Sequence, residues 1–512
     1  MVAALSVAAP AVLHAEPWRV TASASARLTY TDNVDFGPSG DRQSDFVTSL
    51  VGTIGVTGGS PRLRLNGSLA LTETIDARGH HSGSIAPVGA LGGTYEAIDN
   101  FAFVDFSAAL QQTYLSPFGP QPQDLVNTTT NRYTSQSYTV SPYIRGVLPG
   151  NVSYVVRDQN TWTTATTSGD SAATPPNTYS NALTASASSA AGRVGWKVDY
   201  ARSFYDSGGN VPTSLTQSIR AELPVRIDPE LVVGPVVGYE RNRFGDQQVQ
   251  STIYGIVGQW RPTDRTNLSG RWEHRFFGSG YSLEASHRLP RVALSLSLAR
   301  DVSTYPQRAQ AFAAGASLAS YVDEAFRTRI PDAGARALAV EQFLARSGLP
   351  ATLLAPIDIF GTSFQLQTSA RLSAALLGGR NSLGLSVFHV RSSALSATDQ
   401  TPLSEVLPPS LAFASNSTQV GASVVYGYQL SGFTNFSASA AVSRVTAGDE
   451  RPANAIDRAI NANFAVSIDT KLGVNTSGSV GVGYSRFLPQ GGSDSSGSSA
   501  TNVFASVSHT FR

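Results

Sequence analysis

Along nearly the whole chain, apolar and polar residues exchange places at every step. From Arg62 to Thr72, Leu63, Leu65, Leu69 and Leu71 hold one parity, while Arg62, Arg64, Asn66, Ser68 and Thr72 hold the other. Val20, Ala22, Ala24, Ala26, Leu28 and Tyr30 oppose Thr21, Ser23, Ser25, Arg27, Thr29 and Thr31 in the same way. Val292, Leu294, Leu296 and Leu298 oppose Ser295 and Ser297. The final segment sets Val503, Ala505, Val507, His509 and Phe511 against Asn502, Ser506, Ser508 and Thr510, with Phe504 as the exception. Successive side chains of an extended chain point to opposite faces, so each segment reads as a strand with one oily and one wet face.

Strand length separates a soluble sandwich from a membrane barrel. Sandwich strands run to about five or six residues. The alternating runs here last roughly 11 to 15, the reach of a tilted strand across a hydrocarbon layer. Their connections alternate between short and long. Gly58-Gly59-Ser60-Pro61, Ile98-Asp99-Asn100, Pro149-Gly150-Asn151, Asp228-Pro229-Glu230, Pro262-Thr263-Asp264 and Gly378-Gly379-Arg380-Asn381 carry tight-turn chemistry. Longer polar stretches lie near 32–45, 76–86, 115–133, 165–178, 399–414 and 488–499. The chain therefore reads as all-β: a transmembrane antiparallel up-and-down β-barrel of about 22 strands, both ends on the short-turn side. Because a closed barrel pairs every backbone group between strands, it crosses lipid with little hydrophobicity, which accounts for a mean hydropathy of -0.07. Trp18, Tyr30, Phe46, Phe101, Tyr114 and Phe511 stand near strand ends, as interfacial girdle residues do.

The alternation is interrupted once and preceded by an apolar leader. Residues 1–15 read as a secretory signal, although no Lys or Arg precedes the apolar run. The barrel then occupies 16–304 and 362–512, with a helical insertion at 305–361. Thr304 and Pro306 mark the start of an Ala-rich helix running to about Arg327. Pro331 and Asp332 open a second, and Gly348 with Pro350 closes it; Leu338, Phe343 and Leu344 share its apolar face, and Arg336 and Glu341 do not. Strand parity puts this insertion on the long-connection side, where it is expected to cover or partly plug a wide lumen.

Composition narrows the chemistry. The 512 residues contain no Cys, so disulfides, thiol catalysis and Cys-ligated metals are excluded. A formal charge of +1 offers no global field for nucleic acid. His80 and His81 fall in a predicted outer loop, while His274, His287 and His509 share the lipid parity; no metal spacing occurs, and no cofactor or catalytic residue is expected. The informative polar residues are charged and inward. Arg271, Glu273 and Arg275 oppose Leu268, Trp272 and Phe276, and Glu284 and Arg288 oppose Leu283, Ala285 and Leu289; the five are expected to line one patch of lumen. Arg27, Arg62 and Arg64 suggest another. Such charges tune which solutes pass, arginine forking onto carboxylates of acidic sugars, or else they stabilise the wall and hold a plug.

Tyr30-Thr31-Asp32-Asn33-Val34 near the mature start, the meander of long strands, and an insertion bearing Arg336, Phe343-Leu344 and Gly348-Leu349-Pro350 resemble the PEP-CTERM system-associated outer-membrane β-barrel proteins of Gram-negative bacteria. The resemblance implies an envelope role in exopolysaccharide export or surface assembly, with outer-membrane lipid, the barrel assembly machinery, and exopolysaccharide or periplasmic export components as partners. It brings no catalytic residues. One departure is that Phe511 is followed by Arg512, where such barrels end on an aromatic residue. A general or solute-selective porin and an outer-membrane hydrolase are the rival readings. A TonB-dependent transporter would need a plug on the order of 100 residues before its first strand, whereas alternation here starts near Trp18.

Overall fold

The computed structural model describes residues 18–79, 84–167, 175–189, 192–208, 213–305, 307–308, 317–327, 330, 336, 339–340, 343–344, 353–357, 364–395, 416–448, 456–492 and 496–511. The expected signal, His80 and His81, and most of the two expected helices lie outside the described residues.

The first strands are β1 (Arg19–Thr31), β2 (Asp45–Gly59), β3 (Leu63–Asp76), β4 (Ser84–Ile98), β5 (Ala102–Tyr114) and β6 (Arg132–Leu148). β7 (Val152–Thr167), β8 (Thr178–Ser189), β9 (Trp196–Asp206), β10 (Ser214–Glu222), β11 (Val225–Arg226) and β12 (Leu231–Phe244) follow. Next come β13 (Gln247–Thr263), β14 (Thr266–Arg275), β15 (Gly278–Leu289) and β16 (Val292–Ser303). After a short helix, α1 (Leu318–Phe326), the wall resumes with β17 (Gln365–Leu377), β18 (Asn381–Ala394), β19 (Ser417–Gln429) and β20 (Thr434–Ala447). β21 (Arg458–Lys471), β22 (Thr476–Gln490) and β23 (Ser498–Phe511) complete it.

Every neighbouring pair is antiparallel, and β10 and β11 are two parts of one crossing broken at Leu223-Pro224, since both pair with β12. The 23 strands thus make 22 crossings. The sheet closes where β1 meets β23 over ten residue pairs, from Ala22↔Phe511 to Thr31↔Asn502.

The two parities separate as the sequence requires. Val20, Leu28 and Tyr30 on β1, Leu372 and Leu376 on β17, and Val503, Val507 and Phe511 on β23 are exposed on the outer surface. Many inward residues are small, polar or charged, apolar ones pack beneath the segments that fold inward, and Phe504 faces inward beneath the guanidinium of Arg27, 3.9 Å from its ring centroid. Tight turns use left-handed backbone where side chains tolerate it, with Asn100 at φ 56°, and Gly150 and Asn151 at 83° and 56°. Tyr30 and Phe46 pack together at the outer end of β1 and β2, 5.2 Å between centroids, and Trp18 and Phe101 are exposed at the opposite rim. Tyr114 is engaged otherwise: its hydroxyl donates to the Pro122 carbonyl at 2.6 Å.

The rule of short turns on one rim and long connections on the other is not strict. Gly245-Asp246 and Phe276-Phe277 are two-residue turns on the long-connection rim. There Glu240 is fully buried and accepts the Phe276 amide at 2.7 Å, which satisfies the turn without a longer loop.

Outer and inner parities should respond differently to charge. Leu372→Arg, on the outer face near the middle of β17, should cost about 2–4 kcal/mol of folding stability in bilayers. Ser297→Arg, on the inner face of β16, should stay within about 0.5 kcal/mol. Urea titration of folding into liposomes measures both.

Candidate functional site: an occupied lumen

The described residues between β16 and β17 lie inside the barrel. At the long-connection rim, the Tyr305 hydroxyl lies 2.6 Å from that of Tyr133, and Tyr305 joins Leu115, Tyr205, Phe244 and Phe364 in a buried cluster. α1 sits at the other end. Its Leu318 and Val322 pack on inward Ala293, Leu377 and Val425, close to the short turn that joins β17 and β18. A Cβ on inward Gly384 would approach Leu318 at 3.3 Å and Leu353 at 3.7 Å, so the missing side chain makes room for the insertion. Residues 353–357 return along the wall. Leu354 packs against Phe388, and the Gln419 side chain exchanges both amide hydrogen bonds with Ile357, at 3.1 and 2.8 Å.

Two ion pairs fix α1. Arg288 Nε meets Glu324 at 3.1 Å, and Arg336 Nε meets Asp323 at 2.7 Å. Arg336, expected off the apolar face of the second helix, is 8% exposed and also donates to the Ile330 carbonyl at 3.0 Å. A carboxylate one helix away, invisible in local periodicity, accounts for its burial. Phe343 and Leu344 pack with the cluster around α1; Leu338, expected on the same face, lies outside the described residues.

A second segment, the connection 115–131 between β5 and β6, also folds inward and crosses to the wall around the seam. The amides of Gln121 and Gln123 donate to Asn461 and Ser485 at 3.1 and 3.3 Å. Arg27 Nη2 meets Asp124 at 2.5 Å. Asn127 donates to Thr31 Oγ1 at 3.0 Å and to the Asn33 carbonyl at 2.8 Å, and its own Oδ1 accepts from Asn502 at 2.6 Å. Asn33, fully buried, donates to the Gly37 and Ser499 carbonyls at 2.8 and 3.0 Å. The segment Tyr30-Thr31-Asp32-Asn33-Val34 therefore knots β1, β23 and this inner loop at the top of the seam.

The inward charges form a network that is wider than the sequence indicated. Glu273 accepts from Arg220 at 3.1 and 3.2 Å and from Arg271 at 2.8 Å, and Arg271 also reaches Glu222 at 2.5 Å. Arg275 meets Glu240 at 2.8 Å and Asp301 at 2.5 Å. Arg220, Glu222, Glu240 and Asp301 were not singled out, because they stand on other strands and join the set only through the barrel's register. Glycines open the path: Gly238 pairs with Arg220 and Gly255 with Glu273, and a Cβ on Gly238 would lie 3.3 Å from Arg220 Cγ.

The expected single patch of five consequently divides. Arg271, Glu273 and Arg275 staple β10, β12, β14 and β16; Arg288 holds α1; Glu284 stands exposed in the lumen between Ser269 and Ser297. Arg27 anchors the inner loop. Arg62 is a correction: it precedes β3 in a short turn and pairs with Asp99 of the next turn at 3.0 Å, both exposed, so it belongs to the rim.

Arg64 faces the lumen at the short-turn end, where inward β5–β7 carry a set that sequence reading missed. Phe103 and Tyr143 stack 5.1 Å apart, Arg145 lies over Phe103 at 4.5 Å, and Arg157 lies over Tyr143 at 4.0 Å while bonding Asp105 at 2.7 Å. Among the described residues, no group of three or more metal-ligating side chains converges.

A closed wall of 22 crossings, oily outside and polar within, defines the class: a multi-pass β-barrel of the Gram-negative outer membrane. No helix among the described residues is long and apolar enough to cross a membrane. No family model matches the chain, and no curated protein matches it. Solved structures with a similar path include the siderophore receptor PirA from Pseudomonas aeruginosa, at 9% identity and a TM-score of 0.41, covering 96% of this chain and 80% of that one. The ferric-catecholate import receptor Fiu from K12 E. coli gives 9% and 0.47, covering 96% and 82%. PirA from Acinetobacter baumannii gives 10% and 0.44, covering 96% and 80%. At such identities no ligand or residue role passes from these receptors to this chain.

The buried network supplies a direct test. Glu273→Ala removes a buried carboxylate, leaves two half-buried guanidinium groups short of a partner and should cost about 1–3 kcal/mol, whereas Glu284→Ala should change stability by less than about 0.5 kcal/mol; urea unfolding in liposomes separates them.

Proposed function

We propose that this barrel is a non-enzymatic, gated passage that supports export or surface assembly of an exopolysaccharide. The observation that carries the gate is the position of the insertion. Its described residues lie inside the lumen, with Tyr305 at one rim and α1 at the other, and are held by Arg288–Glu324, Gln419–Ile357 and apolar contacts with the wall. One segment leaving as a unit would open the lumen without breaking a wall hydrogen bond. The polysaccharide reading draws on the arginine-and-aromatic set at the periplasmic mouth, Arg64, Arg145, Arg157, Phe103 and Tyr143. Aromatic planes stack on sugar rings, and guanidinium groups fork onto the carboxylates of acidic sugars. The resemblance around Tyr30-Thr31-Asp32-Asn33-Val34 points the same way.

A solute-selective porin is the second reading, favoured by the inward fold of residues 115–131, which narrows the lumen independently of the insertion. Planar-bilayer conductance tests the gate: the intact chain should be nearly silent, deletion of 305–361 should give large steady openings, and Glu324→Ala should give brief ones. A strain lacking the protein should lose secreted polysaccharide while small-solute uptake stays normal. Loss of solute uptake with normal polysaccharide would instead favour the porin.

A further inference from the structure

The outer face of β7, β8 and β9 carries polar side chains where a barrel wall normally meets hydrocarbon. Asp158 and Asn160 share the parity of Trp162, which is 44% exposed, and Arg202 shares that of Trp196 and Val198. Asn160 and Asn181 donate to Asp158 at 2.8 and 2.6 Å, and Arg202 Nη1 donates to Asn181 Oδ1 at 3.2 Å. The Tyr179 hydroxyl donates to Asn160 Oδ1 at 2.7 Å.

Depth can be read from the rings above. Trp162, Tyr179 and Phe204 form a ladder across the same three strands, with centroids 5.6 and 6.2 Å apart, in the manner of an interfacial girdle. Asn160, Asn181 and Arg202 each stand two residues beneath one of these rings, toward the short-turn side, and Asp158 stands four beneath Trp162. Below them the outer face turns apolar again, with Val156, Leu183, Ala185, Ala187 and Val198. The polar row thus lies inside the oily belt. A carboxylate and a guanidinium facing acyl chains there are costly, and such groups normally mark a partner or a pathway.

We propose that this face is the contact between two copies of the chain, related by a two-fold axis along the membrane normal and passing near Asn181. Rotation about the normal preserves depth, so groups that meet across the axis must be equally deep. Asn160, Asn181 and Arg202 satisfy this condition, with Asn181 in the middle and the other two one strand to either side. A half-turn sets Asn181 against its own copy and brings each Arg202 level with the partner's Asn160, with Asp158 one outward-facing position lower and within reach of the long arginine side chain. The patch is of mixed sign and self-complementary, as an isologous contact requires. Ala185 and Ala187, small and on the axial strand, allow the two walls to approach closely. Sugar and phosphate headgroups of lipopolysaccharide lie above the ring ladder and do not reach the row.

The chain has no native cysteine, so single cysteines report contacts cleanly. Leu183→Cys, beside the axis, should oxidise in outer membranes to a disulfide-linked dimer of this chain, and Leu372→Cys, on the outer face of β17, should not. Asp158→Leu with Arg202→Leu should remain folded, shown by heat-modifiable migration on gels, yet run as a monomer by native mass spectrometry in detergent. Equal cross-linking at both cysteines, a disulfide to a different envelope protein, or a wild-type monomer whose bound lipopolysaccharide disappears in Arg202→Leu would each overturn the proposal.

Discussion

A backbone amide facing hydrocarbon has no water to bond, so this structure depends on the seam at which β23 finds β1. Until those ten residue pairs form, the sheet has two bare edges in a medium that satisfies neither. The chain reinforces this place above all others. Asn33, Asn127 and Asn502, all fully or nearly fully buried, bind one another across the top of the seam, and Arg27 lies between Phe504 of β23 and Asp124 of the inner loop.

Closure creates the second problem, an interior too wide for wall side chains to fill. Two segments that begin at the outer rim occupy it. Residues 115–131 cover the wall around the seam, and the described residues of the insertion lie against β15 to β19, with α1 near the short-turn end. The inner loop is held by Arg27–Asp124 and buried hydrogen bonds, and the insertion by Arg288–Glu324, the Gln419–Ile357 hydrogen bonds and apolar contacts, whereas the charged network across β10 to β16 is paired within the wall itself. The distinction matters for function: the wall's charged network links strand to strand, whereas the insertion's contacts link it to a wall that is complete without it.

Much of the architecture was legible because a strand's two faces obey a rule that acts on adjacent residues. Parity assigned Arg271, Glu273, Arg275 and Arg288 to the lumen and His274, His287 and His509 to the lipid side, and strand length indicated a barrel of about 22 crossings. What escaped depends on positions far apart in sequence. Arg220 reaches Glu273 only because the shear of the closed sheet and two glycines bring them together. Arg336 stands off the expected apolar face, and nothing near it in sequence announces Asp323. The loop at 115–131 has ordinary loop composition, and its inward fold is decided by acceptors on β21 and β22, Asn461 and Ser485, and by a donor on β23, Asn502. The tight outer turns at Gly245-Asp246 and Phe276-Phe277 broke a length rule that describes loops in bulk and not each hairpin.

The central claim is that one sheet closes on itself between its first and last strands. Ala26 and Val507 are register partners across that seam, and both face lipid. With Ala26→Cys and Val507→Cys in one chain, oxidation in outer membranes should join them, giving a circular product that migrates as a compact species on gels even after full denaturation, and reverts on reduction. The pair Ala26→Cys and Val466→Cys, equally lipid-facing but on a strand that does not touch β1, should stay linear. A linear product from the first pair, or equal joining in both, would mean that the cylinder described here does not exist.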